Sequence, residues 1–190
     1  MRIGLDLLHV RPRIGGGWNY IGGLLEALGR HGGADNTYYV YCTPHSESLV
    51  PDQANFVKRR FDLDPDRALR RTLVQATALQ AAARRDRLEV LHVFSGSLPP
   101  VRVCPTVVTF YDFVAEASPT SVGSWAKCCY YRMMSSFVLG QATVLAPISE
   151  SIAHAIQQRS PRVADHLVVV PLPLGPTLRP ADAAAQADFR

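Results

Sequence analysis

Apolar and polar positions along this chain fall into short blocks whose period keeps switching between that of a strand and that of a helix. Ile3 to Leu8 is a compact apolar run. A loop ending in Gly15, Gly16 and Gly17 follows, and then Ile21, Leu24, Leu25 and Leu28 recur at helical spacing. The opening stretch thus predicts strand, glycine loop, helix. Thr37 to Cys42 is aromatic and β-branched and follows the turn residues Gly32 to Asn36, which predicts a second strand. Asn55 to Phe61 predicts a shorter third. Asp64 and Pro65 read as the cap and first turn of a long helix reaching about Arg85, with Leu69, Leu73, Ala76 and Ala83 as its apolar stripe. Arg67, Arg70, Arg71, Arg84, Arg85 and Arg87 make up its basic remainder, either a solvated face or a surface for anionic membrane or acceptor.

The second half repeats the alternation. Strands are predicted at Leu88–Phe94, Pro105–Phe110, Thr143–Ile148 and Leu167–Val170, and helices at Ser124–Leu139 and from Ser149 to about Gln158. Pro105 to Phe110 is almost continuously apolar, as a parallel strand covered on both faces should be. Strands alternating with helices predict an α/β domain: a Rossmann-like parallel sheet with helices on both faces. Ligands of such sheets sit beyond the carboxyl ends of the strands. The loops at Gly15–Gly17, Ser95–Ser97, Tyr111–Asp112 and Ser149–Glu150 all fall there.

Composition narrows the picture modestly. At 190 residues with 47% apolar content, the chain has the size of one ordinary domain with a full core. The net charge of +4 is the excess of 20 basic over 16 acidic residues, the basic ones all arginine except Lys58 and Lys127. Basic residues are not interleaved with aromatics as single-strand nucleic-acid binders require, so no nucleic-acid partner is expected. No apolar run is long enough for a transmembrane helix, and no signal peptide precedes the first strand. Cys42, Cys104, Cys128 and Cys129 have no metal-ligand spacing and suit reduced thiols in a cytoplasmic protein. The expectation is therefore no metal.

The chemistry has to come from the loops. Glycines remove the Cβ that would keep backbone away from a ligand, and the free N–H groups of a helix start hold anions such as phosphate. The same glycines are equally compatible with a tight turn and no ligand. The dinucleotide fingerprint fails, because its third glycine position is Tyr20 and no acid ends the second strand. Asp112 reads either as a carboxylate for sugar hydroxyls or base work, or as an Asx turn. Tyr111 either stacks on a ligand or packs under its loop. Ser149 and Glu150 read first as a helix cap with an acid in the first turn. Nucleophile-elbow, zincin and Walker-type motifs are missing.

In order and spacing, these motifs resemble the N-terminal domain of GT-B glycosyltransferases, most similar to family 4 (glycosyl transferases group 1). The resemblance rests on Gly15-Gly16-Gly17-Trp18-Asn19-Tyr20-Ile21-Gly22-Gly23-Leu24-Leu25, on Glu89-Val90-Leu91-His92 and on Pro105 to Ala115 around Tyr111-Asp112. Ile148-Ser149-Glu150-Ser151, Val169-Val170-Pro171 and Leu174-Gly175 complete it. It implies a retaining transferase that uses a nucleoside-diphosphate sugar and no obligatory metal or cofactor. It also implies an acceptor-binding domain over residues 1–175, with 176–190 leading toward a donor-binding C-terminal domain not contained in these residues. Alone, such a half would be inactive. Tyr111 and Asp112 would be the catalytic pair, and Gly15, Gly16, Gly17, Trp18, Asn19, Ser149 and Glu150 would bind substrate. Two departures stand out: tyrosine replaces the family histidine at 111, and Gly17-Trp18-Asn19 replaces threonine-glycine-arginine. The acceptor would be a glycan, lipid or small molecule. Apart from the resemblance, the basic face of the Asp66–Arg87 helix and the aromatic, Met-rich Ser124–Leu139 helix lead to an expectation of peripheral contact at the inner face of a membrane. The alternative is a stand-alone Rossmann-like binding module without a reaction.

Overall fold

The structure, a computed structural model, describes residues 1–12, 15–33, 35–95, 98, 101–113 and 125–172. Six strands form one sheet: β1 (Arg2–Asp6), β2 (Thr37–Cys42), β3 (Phe56–Arg60), β4 (Val90–Val93), β5 (Thr106–Phe110) and β6 (Val144–Pro147). Their order is β3-β2-β1-β4-β5-β6, and every pairing is parallel. The described helices are α1 (Gly15–His31), α2 (Ala68–Ala76), α3 (Ala78–Arg85), α4 (Trp125–Gln141) and α5 (Glu150–Arg159). This is the expected Rossmann-like α/β architecture.

Alternation along the strands builds two cores. Leu5, Tyr38, Val40 and Phe94 pack with Tyr20, Ile21 and Leu25 of α1 on one face. Tyr39, Tyr41, Leu91, Val93, Val108 and Phe110 pack on the other with Leu79 and Ala83 of α3, Val138 of α4 and Ile156 of α5. Because both faces are covered, the strands read as continuous apolar runs rather than alternating ones. At Gly4 of β1, a side chain would run into the side-chain ends of Leu88 and Leu91 and meet the Tyr41 ring at 3.2 Å, so a larger residue there would make those core side chains shift. α1 ends at Gly32 and Gly33, and Gly33 has the left-handed φ of 77° common just past a helix.

Three predicted elements differ. The triple glycine is not a loop before α1: Gly15 to Gly17 are its first turn. The long helix of Asp64 to Arg85 is two helices. Asp64 Oδ1 accepts the Asp66 N–H at 2.9 Å in a local turn, which delays the helix to Ala68. Thr77, at φ −120° and ψ −80°, then separates α2 from α3. The predicted apolar stripe turns outward at Leu69 (87% exposed) and Leu73 (62%), while Gln75, Leu79, Ala82 and Ala83 are buried. The break re-phases the helix, so a single periodicity across it assigned the wrong side. Leu167 to Val170 is not a strand either. Leu167 bridges Leu145, and Val168 and Val170 donate to the carbonyls of Leu145 and Pro147. A 3-10 turn over Pro161–His166 occupies the preceding residues.

Candidate functional site

The strand order reverses between β1 and β4, where α/β sheets open a ligand crevice at their carboxyl edge. A cleft of about 440 Å³ lies there, in the range typical of small-molecule sites. Its wall comes from the residues just after β1 (His9, Arg11), after β4 (Phe94, Ser95) and after β5 (Tyr111, Asp112, Phe113). Gly17 of α1, Ala68 and Arg71 of α2, and Tyr130, Tyr131 and Met134 of α4 complete it.

The β4–β5 side is held by a ring and hydroxyl stack. The His92 ring lies over Phe94 at 4.1 Å between centroids, and His92 Nε2 hydrogen-bonds Thr109 Oγ1 at 2.8 Å. Thr109 Oγ1 is 3.5 Å from the Tyr20 hydroxyl, and Tyr20 meets Tyr111 edge-on at 5.9 Å. The Tyr111 hydroxyl is buried and has no hydrogen-bond partner among the described residues. Burial, with Tyr20 beside it, pushes the Tyr111 phenol up from its ordinary value. It is therefore a neutral donor, not a base. Arg159 of α5 stacks over Phe113 at 3.8 Å and fixes that corner.

The β1 side carries charge. Asp6 ends β1 with no exposed surface. Its Oδ1 accepts the Leu8 N–H at 3.0 Å and its Oδ2 accepts Gln75 Nε2 at 2.6 Å. Burial pushes its carboxyl up, against the pull of those two hydrogen bonds and of Arg71. His9 Nδ1 and Arg71 Nε are buried without partners among the described residues, while Arg71 Nη1 donates to the Pro65 carbonyl. Burial and then the Arg71 charge lower His9 to about 4, so its ring is neutral at pH 7. Arg11 pairs with Asp66 at the exposed rim.

Of the residues proposed from sequence, Gly17, Tyr111 and Asp112 line the cleft together. Gly15 and Gly16 share the first turn of α1, and no atom of the described residues lies within 4 Å of a Cβ placed at Gly16. Trp18 packs against the α1 core and Asn19 is exposed. Ser149 caps α5, its hydroxyl accepting the Ile152 N–H at 3.3 Å, and Glu150 is exposed in the first turn; neither lines the cleft. Asp6, His9 and Arg71 were missed as site residues. Asp6 was the available signal, because a carboxylate inside an otherwise apolar strand needs buried partners.

Among the described residues, no group of three His, Cys, Asp or Glu is placed to hold a metal, and no helix is long and apolar enough to cross a membrane. No protein-family model matches the chain, and no curated protein matches it.

Proposed function

We propose that this chain is the acceptor-side domain of a retaining GT-B glycosyltransferase similar to family 4. It would serve transfer of a sugar from a nucleoside-diphosphate sugar to a hydroxyl of a glycan, lipid or small-molecule acceptor. One observation carries the reading: a side chain at Gly17 would stand 3.9 Å from the Tyr111 hydroxyl. The glycine-first turn of α1 and the Tyr111–Asp112 corner therefore stand beside each other in the switch-point cleft, two of the segments on which the motif resemblance rests. An N-terminal helix turn without side chains suits a diphosphate, and a neutral phenol suits a sugar oxygen.

In the reaction the bond from the anomeric carbon to the diphosphate oxygen breaks. The acceptor oxygen bonds that carbon on the same face, and the hydroxyl proton leaves with the diphosphate. The domain's share is positioning and charge stabilisation, with the donor nucleotide held by a second domain of the same protein. No metal or cofactor is required on this reading. The exposed Leu69, Leu73, Trp125 and Met133, set among arginines, suit peripheral contact with the inner face of a membrane and a cytoplasmic location. A binding module without a reaction is the second reading. It is favoured by Ser149, whose hydroxyl is committed to capping α5.

The test is sugar transfer by the full-length gene product across a panel of UDP-, GDP- and ADP-sugars, with the anomeric configuration of the product read by NMR. Transfer with retention is expected. Gly16→Val, which has open space for its side chain, should lose transfer while its melting temperature stays near the parent's. Transfer by Gly16→Val at the parent rate would remove the glycine turn from the site. No transfer from any donor by a folded protein would favour the binding module.

A further inference from the structure

Three residues that line this cleft each hold a buried polar atom with no partner among the described residues: Arg71 Nε, His9 Nδ1 and the Tyr111 hydroxyl. Buried polar groups are normally hydrogen-bonded, so three orphans around one cleft, two on its β1–α2 side and one on its β5 side, mark where polar atoms of a ligand belong. Arg71 sets the sign of that ligand. Its Nη1 is tied to the Pro65 carbonyl, which anchors the guanidinium and leaves the Nε–Nη2 edge. That is the edge that meets a carboxylate or phosphate side-on with two parallel hydrogen bonds. The same chain uses this edge elsewhere: Arg59 grips Asp86 through Nε at 3.0 Å and Nη2 at 2.8 Å. At Arg71, Asp6 is near enough to feel the charge, but its two oxygens are occupied by Leu8 and Gln75. Arg71 therefore has a counter-charge without having a partner for its Nε.

We propose that the cleft selects an acceptor bearing an oxyanion, a phosphate monoester or a carboxylate, which docks on the Nε edge of Arg71 beside neutral His9. This rests on reading the cleft as the acceptor's place. The anion would sit on the β1–α2 side, and the Tyr111 hydroxyl, on the β5 side, would meet the uncharged part of the same molecule. Arg11 adds positive potential at the mouth while held by Asp66. Arg71 is a binding residue on this account, not a catalytic one.

The experiment is a titration of the 190-residue chain, followed by backbone amide shifts, with glucose 6-phosphate, glucuronate, glucose and inorganic phosphate. The two anionic sugars should bind more tightly than glucose, with shifts at His9, Arg71 and Tyr111. The ranking of glucose 6-phosphate against glucuronate distinguishes phosphate from carboxylate. Arg71→Gln should weaken the anionic sugars about tenfold, the loss expected for a charge-assisted bidentate contact, and leave glucose unchanged. Ala68→Glu guards against an unfolded Arg71 variant. Ala68 is exposed at the start of α2 on the cleft wall, so a carboxylate there should repel the anion without disturbing the core. Binding of neither anionic sugar more tightly than glucose, or unchanged anion affinity in both variants, would overturn the proposal while leaving the cleft a sugar site. Shifts from all four probes lying away from the cleft would overturn both the proposal and the acceptor reading beneath it.

Discussion

Single residues at the carboxyl edge of the sheet are held in protonation states that their burial dictates. His92 is lowered to about 4 by burial alone, and His9 to about 4 by burial and then by the Arg71 charge, each from an ordinary 6.5. A histidine whose folded pKa lies below its unfolded value resists protonation only while folded. Its share of stability is complete above pH 6.5 and is lost as pH falls toward 4. Urea denaturation between pH 7 and pH 4 should show falling stability, with His92→Gln losing about one proton's worth of that slope. Asp6, raised by burial, acts in the opposite sense near its own titration, so the comparison with the variant isolates His92. Parallel curves for parent and variant would show that His92 titrates normally. At this scale the sequence was least legible. Tyr111 and Asp112 could be proposed because they follow an apolar strand. Arg71 could not be separated from its arginine neighbours, because which arginine has lost its solvent is a property of the folded helix pair and not of spacing.

Elements were legible where one period runs uninterrupted and misread where a local bond breaks it. β2 to β6 lie within the predicted apolar blocks, β1 starts one residue before its block, and α4 and α5 lie within about two residues of their predicted ends. The Asp64 turn and the Thr77 break were invisible to a periodicity that assumed one helix, and they invert the burial of α2. The inversion has a mutational signature. Leu69→Gln and Leu73→Gln should change stability by no more than about 0.5 kcal/mol, as at ordinary surface positions. Leu79→Ala, at a fully buried position in α3, should cost about 3 kcal/mol in the same denaturant titration. A large loss from either α2 leucine would restore the continuous helix. Elsewhere on this face, α3 is fastened to β3 through charge. Asp86, just past α3, takes a side-on pair from Arg59 and a hydrogen bond from the Tyr41 hydroxyl at 3.2 Å. Burial raises the Asp86 carboxyl, but the Arg59 bonds and charge outweigh it and hold the group below its ordinary value.

On the scale of the whole molecule, the strand order β3-β2-β1-β4-β5-β6 does the organising. It sets β1 beside β4, so the turns after both strands open on one cleft together with the start of α1. The alternation of strand and helix made the α/β class legible, and the convergence of loops at the carboxyl edge followed from that class. The shape of the cleft did not follow, because its α2 wall depends on the Asp64 turn that starts α2 at Ala68, and its charge on which buried groups lack partners. The central claim is that this one cleft, between the glycine-first turn of α1 and the Tyr111–Asp112 corner, is where a sugar-bearing ligand binds. Its most direct measurement is hydrogen exchange of the chain with and without a saturating nucleotide sugar or acceptor glycoside. Slowed exchange is expected at Gly16 and Gly17, at Ser95 and across Tyr111 to Phe113, with the amides of α3 and β3 unchanged. Protection confined to α3 and β3, on a folded chain that demonstrably binds the ligand, would contradict it.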